Sequence, residues 1–255
     1  MHIDPSGDIS ASVASIFTKL KIENFNTHLL TSVAAGFFSA DCIQSFDITP
    51  SLTSNTEEIE DFVNSAKGLL VNLGMLDMPR QKSSLKAVNF ANNQNKKWVL
   101  DPVKIHRSHL RKEFCKKLMK LSPAILKLNG EEYQSLFLND NILSKALEHN
   151  LIIVKTGVID VISNGQKVVK ISNGHEFMHL GIAYGCATGA VMAACVAVHP
   201  NPFEAAVAAV AIMGIAGELA AKKTTGPASF RNIFVDELYN LSEDKIIQTL
   251  NISQN

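Results

Sequence analysis

Three short apolar segments restrict the possible folds of this chain more than any other feature of its sequence. They are residues 68–74, 97–102 and 151–157, and a glycine or a proline ends each run. Helical patterns lie between them, over residues 77–95, 108–120 and 140–149. Because strands that alternate with helices at this spacing form right-handed crossover units, the sequence predicts an α/β fold with a parallel sheet.

Each predicted strand carries a polar residue at its end, and these ends indicate where a ligand could bind. The residues are Asn72, Asp101 and Thr156. In open parallel sheets, ligands bind beyond the carboxyl ends of the strands. Asp101 suits two roles, because a carboxylate there can hold Mg²⁺ or accept a proton, and it can equally form the turn before Pro102.

The remaining sequence predicts three further regions. Residues 10–45 place apolar side chains at helical spacing and are predicted to be helical. Residues 158–172 form two apolar segments around an Asn-Gly pair, which is typical of a hairpin. Residues 182–254 are predicted to be helical. Since no repeat or linker interrupts the chain, we expect a single domain over residues 1–255.

Composition argues against several classes of partner. The chain has 24 Lys and Arg residues and 24 Asp and Glu residues, so a basic surface for nucleic acid or anionic membrane is not expected. Four widely spaced cysteines without a CxxC pair indicate free thiols in a reducing compartment. The opening MHIDPSGDIS has neither a basic nor an apolar region of a signal peptide. We therefore expect a cytoplasmic protein with no nucleic-acid or membrane partner.

Residues 181–198 carry no charge over eighteen positions, which is the length at which a membrane span becomes possible. The stretch is rich in glycine and alanine and poor in leucine, and His199-Pro-Asn-Pro follows it. We interpret it as a soluble helix that is buried on all sides.

Two short motifs allow more than one interpretation. Residues His175 to His179 match the HExxH zinc motif, in which Glu176 would act as base. The motif follows a turn and lacks a third histidine at the extended spacing, so zinc hydrolysis is the least favoured function. Gly185-Cys186 precedes a helix of small residues, where backbone N–H groups bind anions. Its thiol could act as a base if the helix start lowers its pKa, or it could be a buried structural cysteine.

Taken in order, several segments resemble the hydroxyethylthiazole kinase family, the thiamine-salvage branch of the ribokinase-like kinases. The resemblance runs from about Glu23 to the last helix. The segments that carry it are LVNLG at 70–74, VLDPV at 99–103, VKTGVID at 154–160, SNGH at 172–175, IAGELAA at 215–221, GPASF at 226–230 and FVDELYNL at 234–241. It implies a ribokinase-like three-layer αβα fold with a mostly parallel central sheet.

The resemblance also implies an activity and a nucleotide site. The family transfers the γ-phosphoryl group of ATP, with Mg²⁺, to the hydroxyl of 4-methyl-5-(2-hydroxyethyl)thiazole. By position, Asp101 and Glu132 would hold the metal. The nucleotide would be bound by Lys127, which stands where the family usually has an arginine, and by Asn129, Thr156 and Gly157. Taken alone, residues 127–132 are more consistent with a solvated loop.

On the substrate side, the resemblance places Cys186 beside the acceptor hydroxyl, where it would assist deprotonation. Phe46, Ala183 and Gly185 would bind substrate, and the family implies a homotrimer with thiazole sites between subunits. The chain departs from the family pattern here, because Ala183-Tyr184 replaces Gly-Thr before Gly-Cys. An added Cβ would occupy space where backbone approaches phosphate. A different small-alcohol acceptor, or a non-catalytic protein that binds a small molecule or nucleotide, is the alternative.

Overall fold

A single mixed sheet forms the middle layer of the computed structural model, which describes residues 5–254. Its strands are β1 (Asn26–Leu30), β2 (Thr49–Ser51), β3 (Gly68–Asn72), β4 (Trp98–Asp101), β5 (Ile125–Asn129), β6 (Ile152–Thr156), β7 (Asp160–Ser163), β8 (Val168–Ile171) and β9 (Ile252–Gln254). Their order is β2-β1-β3-β4-β5-β6-β7-β8-β9. The first six strands in this order pair in parallel, and β7, β8 and β9 are antiparallel. The carboxyl ends of six strands therefore meet at one edge.

Helices cover both faces of the sheet. They are α1 (Pro5–Ile22), α2 (Val33–Gln44), α3 (Ile59–Ser65), α4 (Met78–Asn93), α5 (His109–Met119), α6 (Gly130–Phe137), α7 (Ile142–His149), α8 (Phe177–Leu180), α9 (Tyr184–Val198), α10 (Pro202–Ala221), α11 (Pro227–Tyr239) and α12 (Glu243–Thr249). Because side chains alternate along a strand, Leu70 faces the core formed with α1, α2 and α9–α12, while Leu69 and Val71 face α3–α7. The expected three-layer αβα fold with a mostly parallel sheet is confirmed.

The prediction of continuous helix over residues 10–45 is wrong, because β1 lies between α1 and α2. The strand is hard to recognise since its second and third residues, Thr27 and His28, are polar although they are fully buried. The two ring nitrogens of His28 lie 2.8 Å from the Ser51 hydroxyl and 3.0 Å from the Thr53 carbonyl oxygen. These partners satisfy the polar ring inside the core. Likewise, residues 252–254 form a strand rather than helix.

The uncharged stretch at 181–198 is interrupted, since α9 begins only at Tyr184 and spans fifteen residues. All but three of its residues are buried, which confirms the expected helix enclosed by the core. Among the described residues, α10 alone is long and apolar enough to cross a membrane, and 83% of its apolar window is buried in the protein. Burial in the core therefore accounts for the composition of α10.

The small residues of α9 have a packing role. A Cβ at Gly189 would lie 3.2 Å from the Leu70 Cδ1 and 3.4 Å from the Asp101 Oδ2. A Cβ at Gly68 would lie 2.5 Å from the carbonyl oxygen of Ala193. Glycine at these positions allows α9 to lie directly against β3 and β4. The expectation of one domain over residues 1–255 stays a prediction, and residues 1–4 and 255 lie outside the described residues.

Candidate active site

A buried polar cluster lies where β3, β4 and β5 approach the carboxyl edge of the sheet. The register pairs Asn72 with Asp101, so their side chains meet. Asp101 is fully buried; its Oδ2 accepts a hydrogen bond from the Asn72 Nδ2 at 2.7 Å, and its Oδ1 accepts one from the Lys127 Nζ at 2.8 Å. Asp101 therefore belongs to a fixed ion pair and is not simply a turn former before Pro102.

Lys127 belongs to strand β5 and is only 4% exposed, so the interpretation of residues 127–132 as a solvated loop is wrong. Burial opposes a charge on its ammonium group, yet Asp101 and Glu132 together raise the pKa of Lys127 above its ordinary value. The side chain is therefore a cation held inside the protein. A buried cation without a carboxylate partner would be far more costly.

Asn129 and Glu132 form a capping box at the start of α6. The Asn129 side chain accepts a hydrogen bond from the Glu132 N–H at 2.8 Å, and the Glu132 Oε2 accepts one from the Asn129 N–H at 2.8 Å. The Glu132 Oε1 accepts a third, from the Lys104 N–H at 2.7 Å. Burial raises the pKa of Glu132, while the charge of Lys127 opposes that rise. Glu132 thus connects the loop after β4 to α6.

A cavity of about 460 Å³ opens beside this cluster. Four residues that the sequence assigned to the site line it: Asn129, Thr156, Gly157 and Gly185. The Thr156 hydroxyl donates to the Leu128 carbonyl oxygen at 3.2 Å, which joins β6 to β5. Because β5 and β6 are neighbours in the sheet, Asn129 and Thr156 pair directly and open to the same space.

Asp160 is a cavity residue that sequence reasoning did not select. Its Oδ1 accepts a hydrogen bond from the Gly157 N–H at 2.9 Å. Burial raises the pKa of Asp160 to about 6, while the bond from Gly157 opposes that rise. Asp160 is the last residue of the family-like segment at residues 154–160. Its place in that segment was the signal by which the sequence could have identified it as a site residue.

The rim formed by Asn173 and Gly174 was also missed, and it depends on distant parts of the chain. Glu218 Oε1 accepts hydrogen bonds from the Asn173 Nδ2 and the Gly174 N–H, both at 3.1 Å. Asn173 Nδ2 also donates to the Thr249 carbonyl oxygen at 2.9 Å, and Asn173 Oδ1 accepts from the Asn251 N–H at 2.7 Å. The rim of the cavity is therefore held by α10 and by the segment that leads into β9.

The start of α9 brings small residues up to the buried cation. A Cβ at Gly185 would lie 3.7 Å from the Lys127 Nζ. Cys186 follows, and burial together with the charge of Asp101 raises its pKa to about 12, although Lys127 opposes the rise. The idea that the helix start lowers this pKa is wrong, because burial dominates. Burial therefore favours the neutral form of the Cys186 thiol.

The ring of Tyr184, the first residue of α9, packs against aromatic side chains of α2 and α11. Its ring packs edge-on against Phe38, with centroids 4.7 Å apart, and against Phe234, with centroids 5.1 Å apart. Its hydroxyl is buried without a hydrogen-bond partner among the described residues. The ring that stands where the family has a threonine is therefore accommodated by an aromatic cluster, and Tyr184 also lines the cavity. Ala183, just before it, has φ 81° and ψ 1°, in the left-handed region.

Two expectations do not agree with the structure. Phe46 is fully buried, and its ring packs edge-on against Phe17 with centroids 6.2 Å apart. Because its side chain is fully enclosed by the core, it has no exposed surface with which to contact a substrate. His175 precedes α8, which starts at Phe177, and its Nδ1 accepts a hydrogen bond from the Phe177 N–H at 3.2 Å. The HExxH letters therefore do not place two imidazoles on one helix face.

A three-layer αβα fold that gathers polar groups at the carboxyl edge of its mostly parallel sheet has the architecture of the ribokinase-like small-molecule kinases. Comparisons with known proteins agree. The hydroxyethylthiazole kinase family model matches residues 17–145 and 139–244. The chain therefore belongs to the hydroxyethylthiazole kinase family, and it is a kinase of thiamine salvage, as the resemblance implied.

Relatives and solved structures support this placement. A probable hydroxyethylthiazole kinase from Agrobacterium fabrum is 34% identical over 244 residues, which cover 95% of this chain and 96% of the relative. The enzyme from Leptospira borgpetersenii is 30% identical over 233 residues, covering 85% and 88%. The structure of a hydroxyethylthiazole kinase protein from Pyrococcus horikoshii matches with a TM-score of 0.91 at 25% identity, covering 95% and 98%. Staphylococcus aureus pyridoxal kinase, with a TM-score of 0.57 at 14% identity, shares the fold alone.

Proposed function

We propose that this protein transfers the γ-phosphoryl group of ATP to the primary hydroxyl of 4-methyl-5-(2-hydroxyethyl)thiazole, with Mg²⁺, in the cytoplasm. The observation that carries the proposal is the Asp101–Lys127 pair, which lies beside Gly185 at the start of α9. A fixed cation next to the N-terminus of a helix is suited to a phosphoryl group that becomes more negatively charged at its equatorial oxygens.

The nucleotide would occupy the cavity of about 460 Å³. Asn129, Thr156 and Gly157 line it and would hold the nucleotide, while Lys127 would offset phosphate charge. Backbone N–H groups around Gly185 would donate to the transferring phosphoryl group, and Ala183 would shape the turn that orients them. In kinases, positioning and charge stabilisation supply most of the catalysis, so fixed groups of this kind suffice.

The carboxylates fit a metal that arrives with the nucleotide. Mg²⁺ is usually bound by one or two carboxylates together with waters and substrate phosphates. Each carboxylate oxygen of Asp101 and Glu132 accepts one hydrogen bond, and so retains a lone pair. The ion would supply charge neutralisation when bound.

Cys186 would orient the acceptor hydroxyl. Because burial raises its pKa to about 12, its thiol is neutral and is not a base before substrate binds. The transition state of phosphoryl transfer is loose, so the acceptor needs orientation more than early loss of its proton. Cys186 would supply that orientation through its weak S–H donor and its sulfur acceptor.

We also propose a homotrimer with acceptor sites between subunits. The large apolar side chains of Val33, Phe37 and Ile182 are exposed on the single chain, near the start of α2 and the turn before α9. Large apolar side chains that are exposed on a single chain are candidates for burial in an interface. Light scattering should give three times the 27.7-kDa chain mass, and a monomer mass would contradict the assembly.

The activity is tested by ADP release in the presence of the thiazole alcohol, ATP and Mg²⁺, with mass spectrometry of the acceptor. A phosphorylated thiazole supports the proposal. The Leptospira borgpetersenii relative serves as positive control. No phosphorylated product from folded protein, with that control active, contradicts the acceptor assignment, and ADP release with another small alcohol then identifies the substrate.

A further inference from the structure

Ala183 has a backbone conformation that is unusual for a residue with a Cβ. Its φ of 81° lies in the left-handed region, which glycine adopts freely and alanine avoids. Such conformations persist only where the surrounding structure imposes them, and they concentrate at functional sites. The contacts on either side of Ala183 identify what imposes this one.

Arg231, on α11, holds the residue before Ala183. Its Nη1 donates to the Ile182 carbonyl oxygen at 3.2 Å, and its guanidinium carbon lies 4.0 Å from the ring centroid of Phe38. A planar guanidinium can stack on a ring and donate a directed hydrogen bond at once. None of the carboxylates described in the structure forms an ion pair with Arg231. The ring and the carbonyl oxygen therefore set its orientation.

Tyr184, the residue after Ala183, is held by its aromatic neighbours. Its ring is fixed among Phe38, Phe230 and Phe234. The chain before it folds so closely around this ring that a Cβ at Gly181 would lie 2.3 Å from the Tyr184 Cε2. With Ile182 restrained on one side and Tyr184 on the other, the φ of Ala183 is imposed from both directions.

We infer that Arg231 is a positioning residue that keeps the turn at Ala183 aligned for phosphoryl transfer, a role that rests on the proposed function. Without Arg231, Ala183 is free to relax toward an ordinary φ. That rotation changes the direction of the N–H groups in the first turn of α9. The nucleotide contacts at Asn129, Thr156 and Gly157 stay in place, because none of them touches Arg231.

The test combines Arg231→Ala with Ala183→Gly, since glycine keeps a positive φ without support. Arg231→Ala should lower kcat by about 10-fold or more and leave KM for ATP within about 2-fold. In the Ala183→Gly background, Arg231→Ala should lower kcat by less than about 3-fold. Arg231→Lys should restore only part of the activity. It keeps the positive charge, but it lacks the planar donor group of arginine.

Lys21→Ala is the matched control. Lys21 lies 4.6 Å from the ring centroid of Tyr239 and donates to the Ser45 carbonyl oxygen at 2.8 Å, so it makes the same two kinds of contact away from the turn. Its loss should leave kcat within about 2-fold. An unchanged kcat in Arg231→Ala, or an equal loss in the Ala183→Gly background, overturns the inference.

Unfolding in urea decides the inference without relying on turnover. If Arg231 imposes the strained conformation, Ala183→Gly should raise the urea midpoint more when Arg231 is present than in Arg231→Ala. Equal shifts in the two backgrounds overturn the inference. If the unsubstituted protein proves inactive, the proposed function is refuted. The comparison of urea midpoints still tests whether Arg231 imposes the conformation of Ala183.

Discussion

Replacing Asp101 by Asn should reveal how much stability depends on the buried ion pair. The change keeps the shape of the side chain and removes its charge, so the buried ammonium of Lys127 loses its partner at 2.8 Å. Removing one partner from a buried pair costs about 3–5 kcal/mol, because the other charge remains buried. The total stability of a domain is about 5–15 kcal/mol, so a large share should be lost.

The deficit should depend on pH, and its sign follows from Lys127. Burial opposes the charge, yet Asp101 and Glu132 raise the pKa of Lys127 above its ordinary 10.5. The pair therefore stabilises the unsubstituted protein fully below pH 10.5, and this contribution is lost as pH rises through the raised pKa. In Asp101→Asn we expect burial to outweigh Glu132 and to lower the lysine pKa. The deficit should then shrink as pH rises toward 10.5.

Urea unfolding followed by tryptophan fluorescence suits this measurement. Trp98 is the only tryptophan of the chain, it is 1% exposed, and it lies in the same strand as Asp101. Urea titrations near neutral pH should show the full stability deficit of Asp101→Asn, and titrations at about pH 9.5 should show a smaller one. The matched control is Glu113→Gln, which breaks the exposed Glu113–Lys116 pair at 2.8 Å and should change nothing measurable. Equal midpoints for Asp101→Asn and the unsubstituted protein, or a deficit independent of pH, would refute the reasoning.

Three further changes test other parts of the site and core. Cys186→Ala should lower kcat and leave the urea midpoint nearly unchanged, and normal turnover would remove Cys186 from the reaction. Because burial raises the pKa of Asp160 to about 6, the folded state resists its ionisation, so Asp160→Asn should stabilise the protein at pH 7 and not below pH 3.8. Equal effects at both pH values would contradict this. Gly68→Ala should destabilise by about 1–3 kcal/mol in thermal unfolding, since its Cβ would lie 2.5 Å from the Ala193 carbonyl oxygen; an unchanged Tm would show that α9 can shift.

Three of the parallel strands could be predicted from the sequence because each contains three consecutive apolar residues. β3, β4 and β6 read as short buried runs, and the structure places them within two residues of the predicted bounds. β1 and β5 could not be recognised, because His28 and Lys127 interrupt their apolar pattern. Both side chains are buried with partners that come from elsewhere in the chain. A strand that contains a buried polar residue is therefore hard to recognise from the sequence, because the partner of that residue becomes known only from the fold.

The candidate site shows the same division. Asn72, Asp101 and Thr156 could be selected because each ends a predicted strand, and parallel register brings such ends together. Asn129 was assigned only through the family resemblance, because its strand, β5, was not recognised. The state of Cys186 could not be predicted, because its pKa depends on burial that only the packed structure defines. The direction of Tyr184 was equally hidden, since it depends on the aromatic cluster formed by α2 and α11.

The hydrogen bonds from Asn173 to residues 249 and 251 have a consequence for the newly made chain. Asn173 lies 76 and 78 positions before its two partners. A ribosome that adds about 5–20 residues per second needs about 4 to 16 s to cover that interval. During this time the nascent protein has most of its sheet but lacks a closed rim around the cavity. We therefore expect newly made chains to acquire tight nucleotide binding only after the segment that leads into β9 has been synthesised.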